Sequence, residues 1–458
     1  MKAGKSFRGL LLTVLLTGAA ACASAGGNKS ASAEEPLAPG IALATFDRLW
    51  TMVRDTYVDT AFVSTKWVAV RDSLRPRAAG ITTRGELDEL LAETLHSIAD
   101  SHFYIIPAKV ATEESSAGKT DGRGSTGISL RMAGGQAVVW KIDAGSPAAV
   151  AGIRAGDRIV GVGERNISTS LKRIKAMPEA ARPRAMSELL YSLNGALSPA
   201  VGESLEVTVV SHGGKASNLR TLVAIPRRGT VSQFGNLPPI AGLVQASRIP
   251  AQSGSACVGM IAFNIWLPAL ARELEHAMDS VRGCRGVVID LRGNPGGVGA
   301  MVMGFGGYFV DSTLSLGTMR TRQVSLRFAI NPRRSRADGT QTATFTGPLA
   351  ILVDPMTAST SEIFATGMQR IGRARVFGER SAGAALPALM ERLPSGDVFV
   401  HAVADFTDPT GKRIEGTGVE PDELIPLSGK DLSDGRDTAL EAAMRWITAD
   451  SAGRPASH

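Results

Sequence analysis

Cysteine is scarce in this chain, with three residues among 458. The six histidines are scattered, and none has the short spacing to another histidine or to a cysteine pair that zinc sites use. The net charge of +7 is spread along the chain, without a dense basic cluster among aromatic residues. We therefore expect no metal, no cofactor and no nucleic-acid partner.

Long apolar runs are also missing, so no segment of the mature chain is expected to span a membrane. A short apolar run near the N-terminus, at residues 10–16, follows Lys2, Lys5 and Arg8 and precedes small residues. This is the pattern of a secretory signal. It predicts an exported protein, located in the bacterial periplasm or cell envelope.

The end of the signal allows two kinds of processing. Residues 19–22, Ala-Ala-Ala-Cys, resemble a bacterial lipoprotein cleavage box, which would make Cys22 the lipidated first residue. Ordinary cleavage after Ala23 or Ala25 is the alternative. Lipidation would anchor the protein to a membrane surface without a spanning segment, and this would be its only membrane contact.

Length and composition describe a globular protein with several domains. The chain is 44% hydrophobic and 20% charged, and it is long enough for two or three domains with cores of their own. Changes in composition and in the period of apolar residues divide the chain into six parts. They are a signal peptide (1–22), a flexible tether (23–40), an N-terminal helical segment (41–112), a β-rich domain (120–228), an α/β core (229–448) and a flexible tail (449–458).

The two cysteines outside the signal stand in a strand–helix–strand pattern. Cys257 and Cys284 each precede an apolar, strand-like run. If these strands are parallel neighbours, both cysteines lie at the same edge of the sheet. A disulfide in an oxidising compartment and two inert buried thiols both fit this placement.

The β-rich domain closely resembles a PDZ domain. Short strands surround the segment Gly-Ser-Pro-Ala-Ala-Val-Ala-Gly-Ile-Arg-Ala-Gly-Asp at residues 145–157, and residues 187–193 would form the groove helix. A peptide C-terminus would add beside the first strand, and its carboxylate would meet the backbone N–H groups of Thr126, Gly127 and Ile128. A small β domain without a ligand is the alternative.

A serine stands at a strand-to-helix turn in the core. The apolar run at residues 348–353 ends in Asp354-Pro355, and a helical pattern starts at Glu362. A hydroxyl at Ser359 would lie beside free backbone N–H groups and the positive end of the helix dipole, which can stabilise an oxyanion. The alternative is that Ser359 is only an N-cap residue.

A glycine-rich loop, Asp-Leu-Arg-Gly-Asn-Pro-Gly-Gly, follows another strand at residues 290–297. It lacks the Lys-Ser/Thr of a P-loop and the GxGxxG of a dinucleotide site. Its glycines would instead let a backbone N–H approach a tetrahedral intermediate, with the N–H of Thr360 as a second donor.

These motifs, with Gly-Glu-Arg-Ser-Ala-Gly-Ala at residues 378–384 and the preceding PDZ-like segment, resemble the S41 serine peptidases. That family comprises C-terminal, or tail-specific, processing proteases and tricorn-core-type relatives, and the resemblance covers residues 41–447. It implies an α/β (α+β) multidomain fold with an N-terminal helical segment, a PDZ-like β domain and a ClpP/crotonase-like peptidase core. It makes Ser359 the nucleophile, and Gly296 or Gly297 with Thr360 the oxyanion hole.

The sequence departs from the tail-specific branch at its catalytic lysine. That branch uses a Ser–Lys dyad, and the matching position holds Ala384. No lysine occurs between Lys215 and Lys412, so a displaced lysine base is not expected there. A serine hydroxyl is a weak nucleophile at neutral pH and needs a base. The chain must therefore either supply another base for Ser359 or be inactive.

The tricorn-type branch uses a histidine as this base. Ser101-His102 resembles the Ser-His pair of that branch, and its glutamate aligns with Glu415. The resemblance implies that His102 accepts the Ser359 proton while Ser101 and Glu415 orient and stabilise the imidazole.

Alternatives remain for each of these roles. Lysine-type members carry an Asp-Pro-His-Ser stretch at this place without using its histidine as base. Glu415 could instead cap or salt-bridge the neighbouring glycine turn, where Arg413 is adjacent, and Lys412 could act as a replacement base.

Two functions follow from the sequence. The first is an exported serine endopeptidase that captures substrate C-termini with its PDZ-like domain. The second is a non-catalytic protein of the same fold that binds peptides or lipophiles. The retinoid-binding protein of the photoreceptor matrix resembles this peptidase core but binds apolar ligands. The sequence offers a candidate base, His102, and candidate oxyanion donors, and this favours the enzyme.

Overall fold

The computed structural model describes residues 35–108, 122–235, 239–250 and 257–449. The predicted signal peptide, Cys22, the tether up to residue 34 and the tail from residue 450 lie outside these ranges. Within them, no helix is both long enough and apolar enough to cross a lipid bilayer.

The N-terminal segment is helical, as its 3.6-residue apolar period predicts. It contains α1 (Ile41–Thr56), α2 (Thr60–Phe62), a π-helical turn (Val63–Trp67), α3 (Val68–Ala78), α4 (Arg84–His96) and strand β1 (Tyr104–Ile106). Phe46 and Trp67 are buried in one apolar cluster with Leu386 and Phe399 of the core. Strand β1 also pairs antiparallel with residues 398–400. This segment therefore forms part of the core.

The second region is a β domain with two longer helices. It contains β2 (Gly124–Ser125), β3 (Ile128–Ala133), β4 (Gln136–Ile142), α5 (Pro147–Val150), β5 (Arg158–Val162), β6 (Arg165–Asn166), α6 (Ile167–Ala176), α7 (Arg182–Ala196), β7 (Ser204–Val210), β8 (Ser217–Val223) and β9 (Ile225–Pro226). The sheet order is β3-β4-β5-β7-β8, and α7 packs beside the edge strand β3. The groove between β3 and α7 is the place where a PDZ domain takes a peptide strand.

The third region is α/β. Its strands are β10 (Thr230–Ser232), β11 (Ile240–Gly242), β12 (Val244–Pro250), β13 (Cys257–Phe263), β14 (Gly286–Asp290), β15 (Leu314–Arg320), β16 (Ser325–Ile330), β17 (Leu349–Val353), β18 (Arg375–Gly378), β19 (Ala388–Arg392), β20 (Val398–Ala402), β21 (Asp405–Thr407) and β22 (Glu423–Leu424). Its helices are α8 (Ala271–Val281), α9 (Met301–Gly306), α10 (Thr360–Arg370), α11 (Gly429–Ser433) and α12 (Thr438–Thr448).

The main sheet of this region has the order β12-β13-β14-β17-β18-β22. All neighbours are parallel except β12, which pairs antiparallel with β13. Strands β14 and β17 are buried on both faces, as continuous apolar runs predict for a parallel sheet. In their shared register Asp290 lies opposite Leu352. The glycine-rich loop and the Ser359 turn therefore leave the sheet at the same edge.

Cys257 and Cys284 form a disulfide that spans 27 residues of sequence. They lie next to the beginnings of β13 and β14, which are parallel neighbours. The sequence left open a disulfide or two buried thiols, and the structure contains the disulfide. Closing a loop of this length is worth about 3.5 kcal/mol of unfolding free energy in the chain-entropy description.

Candidate active site

Ser359 occupies a strained position between β17 and α10. Its backbone has φ 59° and ψ −121°, in the half of conformational space that L-residues avoid. Its Oγ is buried and has no hydrogen-bond partner among the described residues. Ser359 stands at the N-cap position, but its side chain makes no capping hydrogen bond. The capping alternative therefore does not account for this hydroxyl.

A buried carboxylate holds the backbone of Ser359 in place. The Ser359 N–H donates to Glu362 Oε2 at 3.0 Å and to the Ala384 carbonyl at 2.8 Å. Glu362 also accepts hydrogen bonds from Gly383 N at 2.7 Å, Ala384 N at 2.9 Å and Ser381 Oγ at 2.5 Å. Burial raises the pKa of Glu362, while these donors act to lower it. Glu362 thus ties the Ser359 turn to residues 381–384.

Ala384 therefore touches the backbone of the serine directly. It is 7% exposed and presents a methyl group where the tail-specific proteases have their lysine. Lys412, the replacement base considered from the sequence, lies exposed on a turn after Asp408. Neither position supplies a buried amine to Ser359.

The glycine-rich loop packs against the Ser359 turn. A Cβ added to Gly296, whose φ is 109°, would lie 2.7 Å from Ser359 Cβ and 3.0 Å from Thr360 N. Gly297 has φ 143°, and its carbonyl accepts a hydrogen bond from Thr360 Oγ1 at 2.8 Å. Only glycine fits this close approach of two backbone segments.

The two glycines differ in the use of their N–H groups. The N–H of Gly296 donates to Asn294 Oδ1 at 3.0 Å, so it is already satisfied. The N–H of Gly297 has no acceptor among the described residues. Of the two glycines named from the sequence, Gly297 is therefore the better placed to donate to an oxyanion.

His102 and Ser101 are joined to the core by Glu415. Ser101 Oγ lies 2.6 Å from His102 Nδ1 and 3.0 Å from Glu415 Oε2. Glu415 also accepts hydrogen bonds from Ser101 N at 2.7 Å and from Ala385 N at 2.8 Å. The structure thus brings together the histidine, serine and glutamate named from widely separated parts of the sequence.

The hydrogen-bond network determines the protonation of His102 when Glu415 is ionised. A carboxylate can only accept, so the single Ser101 hydroxyl proton goes to Glu415. Ser101 Oγ then accepts the Nδ1 proton of His102, which leaves the lone pair of Nε2 free. Burial lowers the pKa of His102 to about 4, which keeps the imidazole neutral at neutral pH. Burial also raises the pKa of Glu415 to about 7.

Two atoms in the site are buried and have no hydrogen-bond partner among the residues that the structure describes. They are His102 Nε2 and Ser359 Oγ, and no hydrogen bond joins them in this structure. His102 has φ 61°, so like Ser359 it has a positive φ. In the described ranges these are the two non-glycine residues with positive φ.

Arg413 has a role that sequence reasoning missed. It forms ion pairs with Asp100 at 2.7 Å and with Asp405 at 2.8 Å, rather than with Glu415. Asp100 also accepts a hydrogen bond from Tyr57 Oη at 2.8 Å. These contacts fix the backbone just before Ser101. Glu362 was also missed, although the Ser-x-x-Glu spacing from Ser359 is a helix-start pattern that could have indicated it.

The predicted carboxylate-binding loop of the β domain is largely satisfied by its own contacts. Thr126 N donates to the Leu197 carbonyl at 3.4 Å, and Gly127 N donates to Ser125 Oγ at 3.0 Å. Among the described residues, no group of three or more His, Cys, Asp or Glu side chains is arranged to hold a metal ion.

Comparison with known families assigns all three regions. The model of peptidase family S41 matches residues 257–425, the tricorn protease C1 domain matches residues 44–96, and the PDZ domain matches residues 124–191. Residues 257–425 are a domain of peptidase family S41. The predictions of a serine-type peptidase, of its fold class and of a PDZ domain are confirmed.

Relatives of this S41 peptidase extend over most of its length. The carboxyl-terminal-processing protease of Synechocystis sp. is 24% identical over 409 residues, which are 87% of this chain and 85% of the relative. The protease of the same name from Picosynechococcus sp. is 26% identical over 418 residues, 88% of each chain. The chloroplastic C-terminal processing peptidase of Tetradesmus obliquus is 27% identical over 427 residues, 89% of this chain and 81% of the relative.

Solved structures share the fold of the S41 peptidase. The photosystem II D1 C-terminal processing protease is 22% identical, with a TM-score of 0.55 over 90% of this chain and 98% of that chain. Mature CPAF is 13% identical, with a TM-score of 0.59 over the same shares. At these identities the likeness concerns the fold alone.

The contact between the glycine loop and Ser359 can be tested by one methyl group. Gly296→Ala would place its Cβ 2.7 Å from Ser359 Cβ, at a φ that disfavours alanine. We expect peptide hydrolysis to fall by about 10²-fold or more, as for loss of an oxyanion donor. Gly304→Ala is the matched control, because a Cβ there has no atom within 4 Å. Wild-type turnover by a folded Gly296→Ala protein would contradict this account of the loop.

Proposed function

We propose that this S41 peptidase is an exported serine endopeptidase that cleaves peptide bonds through Ser359, with His102 as general base. One coincidence carries the proposal. The two residues that the sequence pairs as nucleophile and base are the two strained non-glycine residues, and each has a buried polar atom without a partner in the described ranges. Strain and unsatisfied polar atoms concentrate at functional sites.

The proposed reaction is acyl transfer through a covalent intermediate. Ser359 Oγ attacks the scissile carbonyl carbon while His102 Nε2 takes the hydroxyl proton. The negative charge that develops on the carbonyl oxygen is stabilised by the N–H groups of Gly297 and Thr360. His102 returns the proton to the leaving amine as the C–N bond breaks. Water, activated in the same way, then hydrolyses the ester at Ser359.

Ser101 and Glu415 act in this proposal as positioning residues. The hydrogen bond of 2.6 Å between Ser101 Oγ and His102 Nδ1 fixes the ring, and the ionised Glu415 holds the Ser101 proton. When His102 becomes an imidazolium, its charge is stabilised through Ser101 by the Glu415 carboxylate.

The substrates we propose are protein or peptide C-termini captured by the PDZ domain. The PDZ match and the relatives named as C-terminal processing proteases support this proposal. A tail would pair with β3, the edge strand of the sheet, and its carboxylate would bind at Thr126, Gly127 and Ile128. Because the Thr126 and Gly127 N–H groups already have acceptors, carboxylate binding there requires these contacts to open.

We further propose export to the periplasm or cell envelope, with a lipid anchor at Cys22 as the membrane contact. The signal pattern and the Cys257–Cys284 disulfide support this location, since disulfides persist in oxidising compartments. An intact-mass measurement of the mature chain distinguishes lipidated Cys22 from cleavage after Ala23 or Ala25. A mature chain that retains residues 1–22 would contradict export.

Binding of a lipophile on the same fold has less support. A cavity of about 570 Å³ lies between the N-terminal helices and the core. Half of its lining residues are charged, whereas a site for an apolar ligand is mainly apolar. The charged residues are Asp59, Lys66, Asp100, Arg320, Arg322, Asp405 and Arg413.

The nucleophile is tested by removing one oxygen atom. Ser359→Ala should lower the hydrolysis of an unstructured peptide by about 10⁴-fold or more, because the covalent route is lost. The matched control is Ser64→Ala, at an exposed serine of the N-terminal segment, which should keep wild-type activity. Peptide cleavage by purified Ser359→Ala at the wild-type rate would rule out the proposed mechanism.

The Glu415 relay predicts an unusual pH profile. The active state requires neutral His102, present above a pKa of about 4, and ionised Glu415, present above a pKa of about 7. The higher value governs, so kcat/KM should rise with pH through about 7.

Glu415→Gln removes this ionisation. The variant should have a lower kcat/KM than wild type, and this residual kcat/KM should no longer rise near pH 7. Glu379→Gln is the matched control: burial also raises the pKa of Glu379 to about 7, but this residue has no contact with Ser101 in the structure. If the rise near pH 7 persists in Glu415→Gln, the assignment of that step to Glu415 is wrong.

A further inference from the structure

The peptide groove of the PDZ domain is partly filled by its own chain. Strand β3 is the edge strand next to α7, and a bound tail would form hydrogen bonds with its backbone. At Leu130, however, both backbone groups already have a partner on α7. Leu130 N donates to Asn194 Oδ1 at 2.8 Å, and the Leu130 carbonyl accepts from Asn194 Nδ2 at 3.2 Å. A side-chain amide thus stands where a peptide strand would pair.

The apolar part of the same groove holds a residue of the peptidase core. Met356 is 5% exposed and belongs to the buried apolar cluster of the PDZ domain, together with Leu130, Leu190 and Leu193. Tyr191 Oη donates to the Met356 carbonyl at 2.7 Å. Asn194 Nδ2 lies 3.8 Å from Met356 Sδ. Residues on both walls of the groove therefore share a cluster with Met356.

A buried ion pair holds the Met356 turn in this position. Arg131 on β3 pairs with Asp354, and both side chains are 7% exposed. Asp354 Oδ1 also accepts hydrogen bonds from Met356 N at 3.0 Å and from Gly293 N at 2.9 Å. The turn that presents Met356 is therefore fixed to the groove strand and to the glycine-rich loop. An occupant tethered in this way competes at a high effective concentration.

We propose that Met356 is an intramolecular occupant of the PDZ groove, and that a substrate tail with an apolar side chain competes with it for the same place. The proposal rests on the capture of tails by the PDZ domain proposed above. A tail would replace Met356 in the apolar cluster and the Asn194 amide at the Leu130 backbone. The measured affinity for tails is then lower than the intrinsic affinity of the open groove.

The expected effect follows from the fraction of open grooves. If the groove is open in one molecule in ten, the apparent affinity for a tail is about tenfold weaker than in an always-open groove. Met356→Ala removes most of the occupying side chain and should recover about this factor. Met356→Leu keeps a side chain of similar volume and should bind like the parent.

The experiment measures binding separately from catalysis. All variants carry Ser359→Ala, and binding is followed by the fluorescence anisotropy of an unstructured peptide that ends in an apolar residue with a free carboxylate. The same peptide with an amidated C-terminus reports binding that does not require the carboxylate. The expected result is a Kd about tenfold lower for Met356→Ala than for the parent, with Met356→Leu unchanged.

Other outcomes overturn the proposal in distinguishable ways. Equal affinity of parent and Met356→Ala would refute the competition and leave capture by the PDZ domain intact. Weaker binding by Met356→Ala would make Met356 a part of the tail site rather than a competitor. Absence of binding by both proteins would refute the competition and tail capture together.

Thermal melting shows whether Met356→Ala is folded. If it is not, a second variant tests the same proposal. Tyr191→Phe removes only the hydroxyl that donates to the Met356 carbonyl and keeps the aromatic ring. One hydrogen bond of this kind corresponds to about a fivefold change in an equilibrium constant. Tyr191→Phe should therefore bind the tail a few-fold more tightly than the parent. Unchanged or weaker binding would refute the occupancy by Met356.

Discussion

The carboxylate of Glu415 is the contact on which the rest of the site depends. It accepts hydrogen bonds from Ser101, in the N-terminal segment, and from Ala385, beside the Ser359 turn. One buried group therefore joins the two parts of the chain that carry the proposed base and nucleophile. Its cost of burial, visible as a pKa raised to about 7, is offset by three donors from both sides.

Helix α7 of the PDZ domain provides a second link between the same two parts. Arg184 donates to the Ala99 carbonyl at 3.2 Å, three residues before His102. Tyr191, two turns further along, donates to the Met356 carbonyl at 2.7 Å, three residues before Ser359. The helix that forms one wall of the peptide groove thus contacts the segments on either side of the unjoined pair, His102 and Ser359.

Sequence patterns predicted the parts of the site that depend on local chemistry. The Ser359 turn and the glycine loop follow from a strand ending in turn residues, and the histidine follows from a family resemblance prompted by the alanine at 384. The sequence could not predict that Asn294 Oδ1 accepts the Gly296 N–H, or that Met356 packs in the apolar cluster of the PDZ domain. These contacts depend on how distant segments pack, and a single sequence carries no periodic signal for them.

The central claim is that His102 activates Ser359, and the labelling rate of the serine by a fluorophosphonate tests it most directly. His276, exposed on α8, provides the matched control. At pH 8 the account predicts rapid modification mapped to Ser359 in wild type and His276→Ala, and a rate about 10²-fold or more lower in folded His102→Ala. Labelling of His102→Ala at the wild-type rate, or modification of a different residue, would contradict the account.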